Sequence, residues 1–293
     1  MTVPGNVGPG DGVQPPMPAS PTGPGAVAPP VPDDQRDVVL RTQGITKRFG
    51  PVVALRGVDM ELHRGEVLGI VGDNGAGKST FIKILTGFYP PDGGQMFIEG
   101  QPVSLRSVTD ARRHGIETVY QDLALVPQLS VYQNLFLNSE LTTFGRLGWL
   151  SKGKMRQLAK QYLEDIKVNI PDIDAEAETL SGGQRQAIAV ARATRQSAKI
   201  ILLDEPLAAM GARESALIID LIHSLSRERG ISIIVIDHNY THLFEICDRL
   251  NVIRQGRVAI DVRVQDTSLD QLTELMVSDF RSQLAAGQAQ LNR

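Results

Sequence analysis

The stretch Leu68-Gly-Ile-Val71-Gly72-Asp73-Asn74-Gly75-Ala76-Gly77-Lys78-Ser79-Thr80-Phe-Ile-Lys-Ile-Leu-Thr86 decides the fold. Four apolar residues run into a glycine loop, and Ile82, Ile84 and Leu85 then fall at helical spacing before Gly87 stops the pattern. The loop satisfies GxxxxGK[ST] in the setting that pattern requires, between a buried strand and a helix. Its glycines let backbone N–H groups approach phosphate oxygens, and the helix dipole adds positive potential there. Lys78 is expected to reach the β- and γ-phosphates of a nucleotide, and the Ser79 hydroxyl to ligate Mg²⁺.

A phosphate loop does not by itself separate kinases, GTPases and ATP-driven machines; a second acidic element does. Ile200-Ile-Leu-Leu203-Asp204-Glu205 ends a buried strand on two carboxylates. Asp204 is placed to hold Mg²⁺ through water, and Glu205 to polarise an attacking water as general base. A third element, Leu180-Ser181-Gly182-Gly183-Gln184, opens the helical run RQAIAVARAT and offers a further anion site at a helix N-terminus.

These three elements, in this order, resemble the ATP-binding subunits of ABC transporters, whose signature LSGGQ lies about 20 residues before the second acidic strand. The resemblance runs from about Val39 to Asp261. It implies ATP and Mg²⁺ as ligands and a site shared by two chains. One chain would supply Phe49 for stacking on adenine, Gly72 to Thr80 (Gly72, Asp73, Asn74, Gly75, Ala76, Gly77, Lys78, Ser79, Thr80) for the phosphates, Ser79, Gln121 and Asp204 for the metal, and Glu205, Gln121 and His238 for catalysis. The other would bring Ser181, Gly182, Gly183 and Gln184 against the γ-phosphate. Ala208-Ala209-Met210-Gly211 departs from the usual SALD, so the aspartate that couples the two sites in many relatives is Gly211 here, and Leu207 replaces a frequent threonine or serine. A similar loop, and the run VYQDLALVPQLSVYQNLFL, resemble carbohydrate-uptake ATPases of the ribose, xylose and fructose type. The implied function is an ATPase that energises import of a small solute, a sugar or polyol, with a second ATPase subunit, transmembrane permease subunits and indirectly a solute-binding protein as partners, on the cytoplasmic face of the membrane. The alternative is a soluble ABC-type switch without transport. A repair-type switch needs a long coiled coil between phosphate loop and signature, and the 103 positions from Lys78 to Ser181 leave no room for one.

Outward from these motifs, strands and helices alternate. Ile231 to Ile236 reads as another buried strand and Glu214 to Arg229 as a helix, while the chain from Gln121 through Leu135 to Leu163 has a helical texture. The expected fold is α/β: a P-loop NTPase core with a parallel sheet, an antiparallel β edge from the runs after Val38, and a helical ABC-type subdomain inserted at about 122–198. Residues 1–35 form a Pro/Gly-rich tail expected to be disordered, since ten prolines and six glycines fill half of Met1 to Pro32. Residues 36–265 make the ATPase domain, and 266–293 a C-terminal helix with Leu269, Leu272, Leu275 and Met276 on one face, followed by a frayed end.

Composition narrows the function classes further. The net charge of -3 resides in the first 35 residues, leaving 30 basic and 30 acidic side chains in the rest, which argues against a sequence-wide basic surface, and no nucleic acid is expected as a partner. Cys247, the single cysteine, allows no internal disulfide and reads as a small buried hydrophobe. No run approaches the 18 or so apolar residues of a membrane span, and the N-terminus has no signal-peptide pattern, so any membrane part is expected on another chain. His63, His114, His223 and His242 are expected to be solvated.

Overall fold

The structure is a computed structural model that describes residues 37–143, 148–195 and 198–274. Leu275, Met276 and the N-terminal tail lie outside the described residues.

Two sheets organise the chain. β1 (Val38–Phe49) and β2 (Val52–His63) form a long antiparallel hairpin, and β4 (Gly93–Ile98) and β5 (Gln101–Val103) extend it in the order β2-β1-β4-β5. The second sheet has six strands in the order β10-β9-β3-β8-β7-β6. Five of them are parallel: β9 (Arg249–Arg254), β3 (Val67–Val71), β8 (Ser232–Ile236), β7 (Ile200–Asp204) and β6 (Ile116–Val119). β10 (Arg257–Arg263) turns back antiparallel on β9 through Gln255 and Gly256, both at positive φ.

The inner strands read as continuous apolar runs because both faces of a parallel sheet are covered. Strand alternation divides them between two cores. Leu68, Ile70, Leu202, Ile234 and Ile236 pack toward β1, β2 and α1 (Lys78–Leu85), with Phe81, Ile84 and Leu85 of α1 filling the space between the sheets. Val67, Val71, Ile201, Leu203, Ile233 and Val235 face the opposite way, against α5 (Gly182–Arg195), α6 (Ala212–Arg227) and α7 (Tyr240–Ile246). Cys247 is buried in this second core, as its reading as a hydrophobe requires, and so is Leu272. Leu269, by contrast, is exposed.

α2 (Val108–Arg113) precedes β6, and between β6 and β7 the chain forms α3 (Val131–Phe136), α4 (Lys152–Asp165) and α5, which join the second core through Leu135, Phe136, Met155 and Leu163. The helical texture from Leu135 to Leu163 is not one continuous element. Asn138 takes a positive φ of 62° after the extended Leu137, which ends α3, and Thr142 bridges Leu150 before α4 begins. α3 itself is fixed by a reciprocal capping box between Ser130 and Gln133. Among the described residues no helix is long and apolar enough to cross a membrane.

An ion cluster ties the two sheets at the amino ends of β3 and β9. Arg249 bonds Glu66 (2.7 Å), both oxygens of Asp261 (2.8 and 2.7 Å) and the Glu61 carbonyl (2.6 Å). Burial alone would raise the Glu66 carboxyl, but hydrogen bonds from His63 and Arg249, with the charge of Arg249, hold it down at about 2.

Candidate functional site

The register aligns the carboxyl ends of the parallel strands. Asp204 pairs with Ile236, Ile236 with Ile70, and Leu203 of the same β7 with Val119 of β6. The segments beginning at Gly72, Gln121, Glu205 and Asp237 therefore leave the sheet along one edge, where open α/β sheets place their ligands.

At the centre of that edge β3 enters the phosphate loop. Gly72 has φ 150°, and a Cβ there would lie 2.1 Å from the Ile253 carbonyl oxygen, so only glycine fits. Gly77, at φ 110°, is the N-cap of α1 and has no side chain to offer the first-turn N–H groups. Those groups are the donors a phosphate would use. The Lys78 ammonium donates to the carbonyls of Gly72 and Asp73, the latter at 3.0 Å. Burial lowers its pKa, against the raising charges of Asp73, Glu205 and Asp204. Asp73, Asn74, Gly75 and Ser79 are exposed along the loop, Thr80 is half-buried, and Ala76 is buried beneath it.

Beside the loop, side chains from two other strand ends meet at one carboxylate, that of Glu205. Gln121 Nε2 donates to Glu205 Oε2 at 3.1 Å, and His238 Nδ1 lies 3.0 Å from Glu205 Oε1. Glu205 adopts φ 48°, a left-handed conformation rarely taken outside glycine, and its N–H is anchored on the Ile236 carbonyl at 2.8 Å. Asp204, one residue earlier, is half-buried. Burial pushes its carboxyl above the usual range, Glu205 and Asp237 push it further, and only Lys78 opposes them.

Two neighbours of this cluster escape a reading by motif. Asp237 is buried, accepts the Asn239 N–H at 2.8 Å and lies 3.2 Å from His242 Nδ1, which fixes the turn carrying His238. An acid at an apolar strand end with a histidine five positions on was the available signal. Arg192 of α5 donates to the carbonyls of Leu123 (2.8 Å) and Ala124 (2.7 Å), both residues at positive φ just after Gln121. No local pattern announces that contact. Buried Asn134 holds the next part of the same segment through Val126, Leu129 and Ser130.

The histidine expectation needs correction. His63 bonds Glu66, His223 faces the Ile246 carbonyl at 3.1 Å and His242 faces Asp237, so of the four only His114 is simply exposed. Each of the other three lies beside an acceptor at the margin of a core.

Phe49 and the signature stand apart from the carboxylate cluster. Phe49 ends β1 with 41% of its surface exposed and Tyr89 edge-on at 5.3 Å. Ser181 and Gln184 form a reciprocal cap on α5, Ser181 N to Gln184 Oε1 at 3.0 Å and Gln184 N to Ser181 Oγ at 3.3 Å. Among the described residues no hydrogen bond joins Ser181–Gln184 to the loop from Gly72 to Thr80.

Comparison with known proteins places this geometry. A model of the ABC transporter family matches residues 55–208. The xylose/arabinose import ATP-binding protein of Sulfolobus acidocaldarius is 44% identical over 82% of this chain and 94% of its own. The fructose import ATP-binding protein of Rhizobium meliloti is 42% identical over the same shares. A ribose import ATP-binding protein of Rubrobacter xylanophilus is 41% identical, and this chain spans 47% of its length. Among solved structures, the ADP conformation of an ATP-binding cassette of an ABC transporter aligns with TM-score 0.67 at 25% identity, covering 82% of this chain and 98% of that one. A dimeric bacterial ABC transporter cassette aligns at 0.63 and 25%, over 77% and 98%.

Proposed function

Since the chain belongs to the ABC transporter family as an ATP-binding subunit, an ATPase whose hydrolysis of ATP is coupled to transport, we propose that it energises uptake of a sugar or polyol through separate permease subunits. The names of its xylose/arabinose, fructose and ribose relatives support a sugar as cargo. They weigh against a soluble switch. In this reading the chain is peripheral, on the cytoplasmic face where ATP is available, and a solute-binding protein delivers the cargo on the far side. The ATPase domain spans 36–265, with residues 122–198 as the helical subdomain that meets the permease.

The observation that carries the reading is the convergence of Gln121 and His238 on the two oxygens of Glu205. A carboxylate held at both oxygens is oriented, and an oriented carboxylate beside a phosphate loop is equipped to take a proton from water attacking the γ-phosphate. His238 and Gln121 fix Glu205 and contact the γ-phosphate region, while Lys78 turns from the Gly72 and Asp73 carbonyls to the phosphate oxygens. The N–H groups of Gly75 to Thr80 cradle the phosphates, and the half-open ring of Phe49 stacks on adenine.

The oxygen donors Ser79, Gln121 and Asp204 fit Mg²⁺, and the charges of Glu205 and Asp237 beside a half-buried Asp204 are ones a divalent cation would offset. Among the described residues no three His, Cys, Asp or Glu side chains converge as a metal cage, so phosphate and water oxygens would complete the shell. When bound, the ion would screen charge on the β- and γ-phosphates. Two copies head to tail, or this chain and a second ATPase, then close on two nucleotides, each receiving Ser181 to Gln184 from the opposite chain. Hydrolysis reopens the pair.

Two measurements test this. Glu205→Gln should keep ATP binding, lose most turnover and accumulate an ATP-dependent dimer; full steady-state hydrolysis would remove Glu205 from its role. The tagged chain should leave detergent-solubilised membranes with a polytopic permease and a solute-binding protein. Recovery with ribosomes or DNA alone would overturn transport.

A further inference from the structure

The segment 87–92 between α1 and β4 lies outside the nucleotide motifs, yet it grips the end of β1. Gly87, at φ 70°, stops α1, and a Cβ there would lie 2.4 Å from the Ser107 carbonyl oxygen. The turn brings the N–H groups of Phe88 and Tyr89 back onto the Lys83 carbonyl, at 2.8 and 3.0 Å. Tyr89 is thereby fixed to α1, and its ring meets Phe49 edge-on, the two planes 66° apart. Phe88 adds a second edge contact to Tyr89 at 5.0 Å, and the Lys83 ammonium lies 5.6 Å from the Tyr89 ring centre.

Asp92 supplies a second hold. One of its carboxylate oxygens accepts the Lys47 ammonium and the other the Arg48 N–H, both at 2.7 Å, while its own N–H donates to the Thr46 carbonyl at 2.9 Å. The Lys47 ammonium also donates to the Pro90 carbonyl at 2.7 Å and stands 5.7 Å from the Phe49 ring centre. These three residues lead straight into Phe49, the last of β1, and Gly50 follows at φ 57°. A ring at such an end would otherwise turn freely about its side-chain bonds. The edge-on contact orients it without stacking on it, so Phe49 keeps its exposed surface for another flat group.

We propose that Tyr89 is a positioning residue for the base of the nucleotide, acting through Phe49. This rests on the adenine-stacking role proposed for Phe49. α1 starts in the phosphate loop at Lys78 and runs eight residues, about 12 Å, to the turn that carries Tyr89. One helix thus sets the phosphate end of the site directly and the ring at the base end through Tyr89. The spacing between the two is built before a nucleotide arrives. Stacking then requires little ordering of Phe49, and the gain is felt as affinity for the nucleotide and not as rate. The reacting phosphates lie at the other end of α1, so chemistry at Glu205 is indifferent to Tyr89.

The test is the affinity of the full chain for adenylyl imidodiphosphate with Mg²⁺, by calorimetry, with kcat for ATP hydrolysis measured beside it. Tyr89→Ala should weaken binding roughly two- to tenfold, the scale of one aromatic pair, and leave kcat at saturating ATP at its wild-type value. Tyr89→Phe, which keeps the ring, should restore binding. In a Phe49→Ala background, Tyr89→Ala should add nothing, since its effect passes through that ring. Losses that simply add in the double variant overturn the proposal, and so does a fall in kcat, which marks damage to α1 instead. Binding weakened by Phe49→Ala but untouched by Tyr89→Ala removes Tyr89 alone. Wild-type binding by Phe49→Ala sinks the stacking reading beneath, and the proposal with it.

Discussion

Replacing Arg249 by methionine removes the cation at the seam of the two sheets while keeping an unbranched chain in its place. Glu66 has no exposed surface and now keeps only His63 as a side-chain partner. In the wild type its carboxyl is held at about 2 against an ordinary 4.5. At about 1.4 kcal/mol per pH unit that gap amounts to about 3 kcal/mol. Without Arg249, burial is opposed only by the His63 hydrogen bonds, so the loss is on the order of that gap, in keeping with the ~3–5 kcal/mol of a broken buried pair. The sign over pH follows. A depressed carboxylate stabilises fully above 4.5, and its contribution disappears as pH falls toward 2. In the variant, a buried carboxylate that has lost its cation costs most at neutral pH and least in acid. Urea unfolding at pH 7 should therefore separate the two proteins by about 3 kcal/mol, and the gap should narrow between pH 4.5 and pH 3. Glu66→Gln added to the variant should restore most of the loss. A gap below about 1 kcal/mol at pH 7, or one indifferent to pH, would refute the reasoning. KM for ATP should be unmoved, because this cluster lies at the amino ends of the strands.

Two further expectations concern the site. Lys78→Ala removes a half-buried ammonium from the phosphate loop, and ATP affinity by calorimetry should drop at least about tenfold, the size of one lost charge-assisted bond; unchanged affinity would sink its assignment. Arg192→Lys keeps the charge but cannot reach the Leu123 and Ala124 carbonyls together, so the Gln121 segment loosens. kcat should fall about tenfold, ~1.4 kcal/mol in barrier, at constant KM, and a wild-type kcat would show that Gln121 is held by other means.

What the sequence discloses here is whatever is local. Gly72 to Ser79, Leu203-Asp204-Glu205 and the valine and isoleucine runs each carry their structural meaning within a few residues, and the strand ends fall where those runs stop. The β1-β2 hairpin is longer than its broken apolar pattern suggests because Gly44 and Gly57, at positive φ, bend the strands without ending them. The meeting at Glu205 draws on partners 84 and 33 positions away, and Arg249 reaches Glu66 across 183. Such contacts follow from sheet order, which hydrophobic periodicity does not encode. The segment after Leu137 was misleading for the opposite reason: its Leu141 belongs to a loop packed on the helical core, and apolar spacing alone does not tell that from a helix.

The six-stranded sheet also grades its own stiffness. β3, β8 and β7, from which Lys78, His238 and Glu205 extend, each have hydrogen-bonded strands on both sides, whereas β6, four residues long, has β7 alone among the described residues. Three of the four groups gathered at the edge are thus mounted on a fixed frame. The fourth, Gln121, rides on a strand with one free flank and is steadied from outside by Arg192. An instrument that must detect a push needs this inequality: a reference that does not yield, and one arm that yields first.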